Sequence, residues 1–532
     1  MSGYYLFMLM FKKNLFLVSL VVVALTSRLL LLDHFPPGPN WDEVSLGYNA
    51  YSLLLTGRDE WGVAFPVILR AFGDYKLPGY AYFTVLPTYL FGINTVSARL
   101  TSVLAGTLSA VLIYLVSRKI FKKTWLSLLA GLLLTVSPWS WFLSRIALEA
   151  NLANMLFLLA LCLLLFRRRY WSMLFFGLTV WTYNSYRIFT PLFLLANFRL
   201  FTKKQFLLAG VFIVPMFLQL ATSSGQARYK WMTLVDSGAV SQIISLRQSS
   251  RFSPAVTRFL YNRVTYFGYK FTANYLSHFS PRFLFITGGS NYQFNIPGTG
   301  LLYAFLLPFC LVGLVVLVFT PYRYRKILLS WLLLAPIAGS LTRDAPHTLR
   351  YITALPLPII LIVYSLVRLP SIIRSRLLRQ GICVIFGLCL IFSAADYFCR
   401  RVPVYREQYS WVWQYGYRQV SDYLKENYRE FDEILITKKY GEPHEFILFF
   451  WPWSPENFRT DINLVRYFRS DWYWVNSFDK FKFIDDWNMA AAISALNPDK
   501  KYLLVTSAPI PATQLTRINF LDNSPAFYLY EK

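Results

Sequence analysis

The sequence predicts an α-helical polytopic membrane protein with a small α/β domain outside the bilayer. Three observations lead there. The 532 residues are 56% hydrophobic and 18% aromatic with only 15% charged, which is too apolar for a soluble chain of this length. The apolar residues gather into eleven runs of roughly membrane-crossing length. Charge is also sorted by side, basic between alternate runs and acidic on the opposite face.

The runs lie near residues 14–32, 95–117, 125–142, 150–166, 171–187, 188–200, 206–222, 298–320, 327–342, 351–369 and 382–398. With the N-terminus inside, the inside segments carry Lys12–Lys13, Arg118–Lys119, Lys122–Lys123, Arg167 to Arg169, Arg199, Lys203–Lys204, Arg323, Arg325–Lys326, Arg368, Arg374, Arg376 and Arg379. None holds an Asp or Glu, and all 27 acidic residues fall on the other side. Miscounting one span would invert every later loop and mix the two sets. The charge sorting therefore predicts a multi-pass membrane protein with its N-terminus cytoplasmic and its C-terminus outside; the expected location is a cell membrane of the bacterial inner or plasma type. The first run follows two lysines but precedes no small-x-small cleavage site, so it reads as a retained anchor.

The net charge of +26 would suggest nucleic acid if it formed a stripe on a soluble fold. Here it sits in short clusters between apolar runs and reports topology instead. Cys162, Cys310, Cys383 and Cys389 lie inside apolar runs and Cys399 at the end of one, which excludes a disulfide framework and C-x-x-C metal spacing. No acid falls at mid-membrane depth, where ion-coupled transporters hold their carboxylates. Arg99, Arg145, Glu149, Asn151, Asn154, Asn184 and Arg187 collect near external ends instead, so any chemistry faces outward.

Two domains follow: a transmembrane domain over 1–399 and a tail over 400–532. The first contains two long outer segments, 33–94 and 223–297. The second segment holds Arg228, Lys230, Arg247, Arg251, Arg258, Arg263, Lys270 and Arg282 against Asp236, an anion-attracting surface of low specificity. In the tail, Glu433 to Thr437 and Tyr502 to Thr506 read as short buried strands, and Trp411 to Tyr428 has a helical rhythm. Trp451, Trp453, Trp472, Trp474 and Trp487 suit core packing better than sugar stacking.

The most informative stretch follows the first run, Pro36-Pro37-Gly38-Pro39-Asn40-Trp41-Asp42-Glu43. Asn40 with Glu43 three residues on is a capping box. Val44, Tyr48, Tyr51, Leu54 and Leu55 then share a helical face, and Thr56-Gly57 is a stop signal, which predicts a helix lying in the outer interface. One carboxylate completes the box, leaving Asp42 over. A carboxylate at the membrane surface is suited to accept a proton from an incoming hydroxyl. Read locally, both acids merely favour a helix start. Asp74-Tyr75-Lys76-Leu77-Pro78-Gly79-Tyr80 sets one cation among aromatics and chain breakers, a point charge for a lipid phosphate or a snorkelling lysine. Tyr80 to Phe91, interrupted by Pro87, reads as a second interfacial helix.

Trp41-Asp42-Glu43, Lys76-Leu77-Pro78-Gly79-Tyr80 and Asn94 to Arg99 resemble the GT-C membrane glycosyltransferases, more narrowly glycosyltransferase family 39, the protein O-mannosyltransferase and aminoarabinose transferase group. The resemblance covers roughly 14–200 well, 298–370 more loosely and the tail hardly at all. It implies a GT-C fold and a polyprenyl-phosphate-linked sugar as donor substrate. It also implies a protein or glycolipid hydroxyl as acceptor, and inversion. Asp42 then matches the first-loop acid that serves as base, Glu43 its acidic neighbour, and Lys76 a lysine near the donor phosphate. Ser137-Pro138 through Arg145 and Glu149 resembles the second outer loop, with Glu149 where an Asp is usual. Locally, Arg145 and Glu149 are a structural i,i+4 pair. Arg350 in Arg350-Tyr351 resembles a basic-aromatic element that clamps phosphate, with Arg145 and His347 as further candidates there. No metal ligand set is evident: H-E-x-x-H is absent and the four His are dispersed, leaving a divalent ion at Asp42 or Glu43 as the weaker option. Two other readings stay open, a lipid-linked sugar flippase and a noncatalytic membrane assembly protein.

Overall fold

The computed structural model describes residues 2–72, 75–222, 225–226, 233–469 and 472–532, with side chains from residue 15 onward except that of Trp472. Asp74, Arg228 and Lys230, and the side chains of Lys12 and Lys13, lie outside the described residues. The chain is mostly helical and is an integral membrane protein. Among the described residues four helical stretches are long and apolar enough to cross a bilayer: Thr95–Phe121, Lys203–Leu220, Arg350–Ile372 and Arg376–Gln408. Leu15–Leu29, Thr124–Val136, Glu149–Leu165 and Ala304–Phe319 are shorter apolar helices. Each of the eleven expected runs coincides with helix, but several are broken. The run at 327–342, for instance, is Arg325–Leu334 and then Ile337–Ser340, parted at Pro336, because proline lacks the N–H that would continue the ladder.

Two compact units emerge. One comprises residues 1–25, 106–143 and 150–395. Within it Leu307–Phe319 and Leu357–Ile372 touch backbone to backbone at Gly313, where a Cβ would stand 1.9 Å from the Leu361 carbonyl oxygen. Glycine is the residue that permits such an approach. Phe157, Phe176, Tyr186, Phe189, Phe193 and Trp331 form an aromatic nest with neighbouring centroids 5.1–5.9 Å apart.

The other unit joins residues 26–105 and 144–149 to 396–532. The expected division at 399 and 400 thus cuts through a unit in which the first loop and the tail pack together. The tail carries a seven-stranded sheet, ordered β4 (Val465–Arg469), β5 (Trp472–Phe478), β6 (Phe481–Ile484), β3 (Glu433–Thr437), β7 (Tyr502–Thr506), β9 (Pro525–Glu531) and β8 (Thr513–Asn519). A separate hairpin in the first loop supplies β1 (Leu69–Arg70) and β2 (Tyr75–Lys76). The two strands expected from sequence, β3 and β7, are central and parallel to each other. Their continuous apolar runs reflect burial on both faces. Two helices pack there through Tyr417, whose ring lies 4.3 Å from Phe446 and 4.9 Å from Phe527. These are Tyr417–Asn427 and Pro443–Phe450. Trp451 and Trp453 pack against Phe481 and are half-buried, whereas Trp487 is exposed.

The helix Trp41–Thr56 begins with the predicted capping box and ends at Gly57, φ +65. It does not lie in an interface with its aromatic face outward. Val44 and Tyr48 are fully buried, and the Tyr48 hydroxyl donates to the Trp453 carbonyl at 3.2 Å. Burial was hidden because its covering helix, Pro443–Phe450, is remote in sequence. Gly47 allows the contact: a Cβ there would stand 2.5 Å from Phe449 Cε2. Gly79–Phe91, by contrast, leaves Phe83, Leu86, Tyr89, Leu90 and Phe91 exposed.

Candidate active site

Asn40 accepts a hydrogen bond from the Glu43 amide at 3.0 Å, and Glu43 Oε2 accepts one from the Asn40 amide at 3.2 Å. That box fixes where the helix starts, and so where Asp42 points. Glu43 is itself fully buried against Arg99: Nε donates to Oε1 at 2.8 Å and Nη2 to Oε2 at 3.0 Å. Oε1 also accepts from the Ala147 amide at 2.8 Å. Arg99 donates further to the carbonyls of Leu32, Pro36 and Gly38. A charge buried this deeply survives only with its donors and acceptors matched. Here the match clamps the Pro-rich turn onto the helix, so Glu43 acts on the site through position.

Asp42 remains accessible. Its side chain is 30% exposed and its Oδ1 lies 2.5 Å from Lys76 Nζ, whose side chain is only 4% exposed. Lys76 sits on β2, with its ammonium 5.7 Å from the Phe72 ring centroid. Sequence reasoning named both residues but not their pairing. Two residues expected separately, one as a base and one as a phosphate contact, are thus neighbours.

Arg145 does not fit the expected phosphate role. Its guanidinium donates to the carbonyls of Ser27, Arg28, Leu31 and Phe35 at 2.8–3.1 Å and is 1% exposed. It holds the end of the first helix. Glu149 begins Glu149–Leu165 and is buried. Glu43 and Glu149 both raise the proton affinity of the Tyr80 hydroxyl, which burial already pushes well above its usual value. That phenol donates to the Ala98 carbonyl at 2.8 Å.

Arg350 and His347 belong to the other unit. Arg350 lines a cavity of about 460 Å³ with Arg187, Asn184 and the apolar Ile188, Leu192, Leu195 and Phe217. Its Nη1 donates to Thr342 Oγ1 at 2.8 Å. The His347 ring is anchored through Nδ1, which accepts from the amides of Leu349 and Arg350 and caps the short turn before Leu355; the ring proton is then on Nε2.

A cluster that sequence reading missed lies behind the Asp42 helix. Asn49 Nδ2 donates to Glu60 Oε2 at 3.3 Å, and Glu60 lies among Glu445, Arg466 and Asp59. Burial pushes Glu60 up to about 7, and burial with the charge of Glu60 pushes Glu445 well above the carboxylate range. Glu442 is raised by burial, and His444, whose Nδ1 lies 3.4 Å from Glu442, is lowered by it. The doublets Asp59-Glu60 and His444-Glu445 are visible in the sequence, but nothing local joins them.

Comparison with known proteins bears on this geometry. Residues 76–221 match the family described as dolichyl-phosphate-mannose-protein mannosyltransferase. That match begins at Lys76 and agrees with the resemblance read from the residues. No curated protein matches the chain. Among solved structures, similarity is found to ArnT from Cupriavidus metallidurans bound to undecaprenyl phosphate, at 12% identity and a TM-score of 0.45, covering 97% of each chain. It is also found to the oligosaccharyltransferase AglB from Archaeoglobus fulgidus in complex with an inhibitory peptide and a dolichol-phosphate. There the identity is 12% and the TM-score 0.49, over 82% of this chain and 63% of that one.

Proposed function

We propose that this integral membrane protein, whose residues 76–221 match the family described as dolichyl-phosphate-mannose-protein mannosyltransferase, moves a sugar from a polyprenyl-phosphate donor to a hydroxyl acceptor. The observation that carries the reading is the Asp42–Lys76 pair, an accessible carboxylate against a buried ammonium. Asp42 takes the proton of the acceptor hydroxyl as that oxygen attacks the anomeric carbon. The bond from the anomeric carbon to the phosphate oxygen breaks, and polyprenyl phosphate leaves with the electron pair. Lys76 stabilises the developing phosphate charge. A single displacement inverts the anomeric centre.

Glu43 and Arg99 position Asp42, while Glu149 contributes through the buried Tyr80 environment. Arg145 is assigned to holding the loop and His347 to capping its turn. The apolar groove with Arg350 and Arg187 suits a prenyl lipid with an anionic head. The sorting of charge in the sequence supports a cytoplasmic N-terminus with the first loop and tail outside. Full-length protein in vesicles with a radiolabelled short-chain polyprenyl-phosphate mannose tests the reading. Asp42→Asn should lower transfer by about 10²-fold or more while the unfolding midpoint holds. Near-normal transfer by a folded Asp42→Asn protein would remove Asp42 as the base.

A further inference from the structure

Another cleft lies between the Pro-rich turn and the tail, within the same compact unit as Asp42. It is a cavity of about 170 Å³ lined by Asp33, His34, Arg406, Gln414, Arg418 and Gln419. A second hollow of about 540 Å³ shares Asp33, Arg418 and Phe450 with it. Neither wall includes Asp42, Lys76, Trp41 or Phe72.

Two glutamines of its lining hold an amide oxygen without a partner among the described residues. Gln414 is 9% exposed, and its Nε2 donates to the Val412 carbonyl at 3.1 Å while Oε1 has no partner. Gln419 Oε1 is likewise buried and unpartnered. Gln414 also holds φ +49, and Gly416 two residues on holds φ +111. A glutamine in the left-handed region carries backbone strain, which persists where the surrounding structure or a function requires it. Buried amide oxygens without donors are rare in folded proteins.

The lining selects the ligand class. The two amide oxygens require donors. The guanidinium groups of Arg406 and Arg418 offer N–H, and Asp33 accepts from Arg418 at 2.8 Å. Asp33 offsets Arg418, whereas Arg406, whose Nε donates to the neutral His34 carbonyl at 3.0 Å, keeps its charge. The polar walls disfavour an acyl chain. A hydroxyl both donates and accepts, and Tyr415 and Phe450 supply apolar faces for ring carbons. The compact volume suits a ring better than an extended peptide.

We propose that this cleft binds a saccharide ring at a site separate from the Asp42–Lys76 pair. The inference goes beyond the transfer reaction, and its test needs no turnover. Full-length protein in nanodiscs is examined by saturation-transfer NMR with mannose, glucose, galactose and N-acetylglucosamine, and with a Ser/Thr-rich peptide. At least one sugar should take up saturation from the wild type and from Trp487→Ala, a change at an exposed position outside the cleft. The signal should fall about fivefold, the worth of one hydrogen bond, in Gln419→Leu. Gln414→Leu should lose as much, and matching unfolding midpoints establish that both variants fold. Persistence of the sugar signal in the presence of farnesyl-phosphate mannose supports a site separate from the donor's, and displacement would overturn that separation. No saturation of any sugar, equal signals in both glutamine variants, or saturation of the peptide alone would overturn the proposal.

Discussion

The ammonium of Lys76 stands 2.5 Å from Oδ1 of Asp42, yet the two partners are unequally placed: the lysine side chain is buried and the carboxylate is not. The lysine backbone is held on a hairpin strand and its side chain lies within the protein, while Asp42 opens to solvent. That asymmetry orders the consequences of mutation.

Lys76→Gln keeps length and removes charge. Transfer efficiency should fall about 10- to 100-fold, with the larger part in the KM for the lipid donor. Stability should change by less than about 1 kcal/mol, because the partner carboxylate still reaches water. Steady-state kinetics at varied donor concentration, with thermal unfolding alongside, read both.

Arg99→Ala leaves the Glu43 carboxylate buried without its cation. The expected loss is about 3–5 kcal/mol of stability. Glu43→Gln should cost less, since an amide oxygen still accepts from Ala147. Denaturant unfolding of the purified protein ranks the two.

Glu60 makes stability depend on pH. Burial raises its folded pKa from 4.5 to about 7, so the folded state holds a proton that the unfolded chain has released. The contribution is complete below pH 4.5 and is lost as pH rises to about 7, a decline of order 3 kcal/mol. Glu60→Gln should flatten that slope in unfolding midpoints measured from pH 4 to 8.

Gly47→Val forces a side chain into the Phe449 ring. Overpacking of this kind costs about 1–3 kcal/mol. It should separate the helix bearing Asp42 from Pro443–Phe450, seen as faster proteolysis within the tail and a lower unfolding midpoint.

What the sequence revealed about fold and site followed the range of the interactions concerned. The capping box at Asn40 and Glu43, the stop at Gly57, the helix at 79–91 and the strands β3 and β7 were all legible, because each is decided by residues a few positions apart. The partner of Glu43 is 56 residues away and that of Asp42 is 34 away, so each acid could be given a chemistry but not a neighbour. Arg145 was assigned by charge and place in a loop, and charge alone does not distinguish a phosphate contact from a guanidinium bound to backbone carbonyls. The Glu60–Glu445 cluster was invisible because each of its acids resembles an ordinary loop or helix-start carboxylate until the tail covers it.

Trp41 packs so closely on the tail that a Cβ at Gly441 would stand 2.1 Å from its ring. A transplant that exchanged residues 396–532 for a foreign tail would therefore strip the wall from the helix that carries Asp42. The portable module is discontinuous. Chimeras should retain activity only when 26–105 and 144–149 travel with 396–532, which makes the first loop, rather than the junction near 399, the seam that engineering must respect.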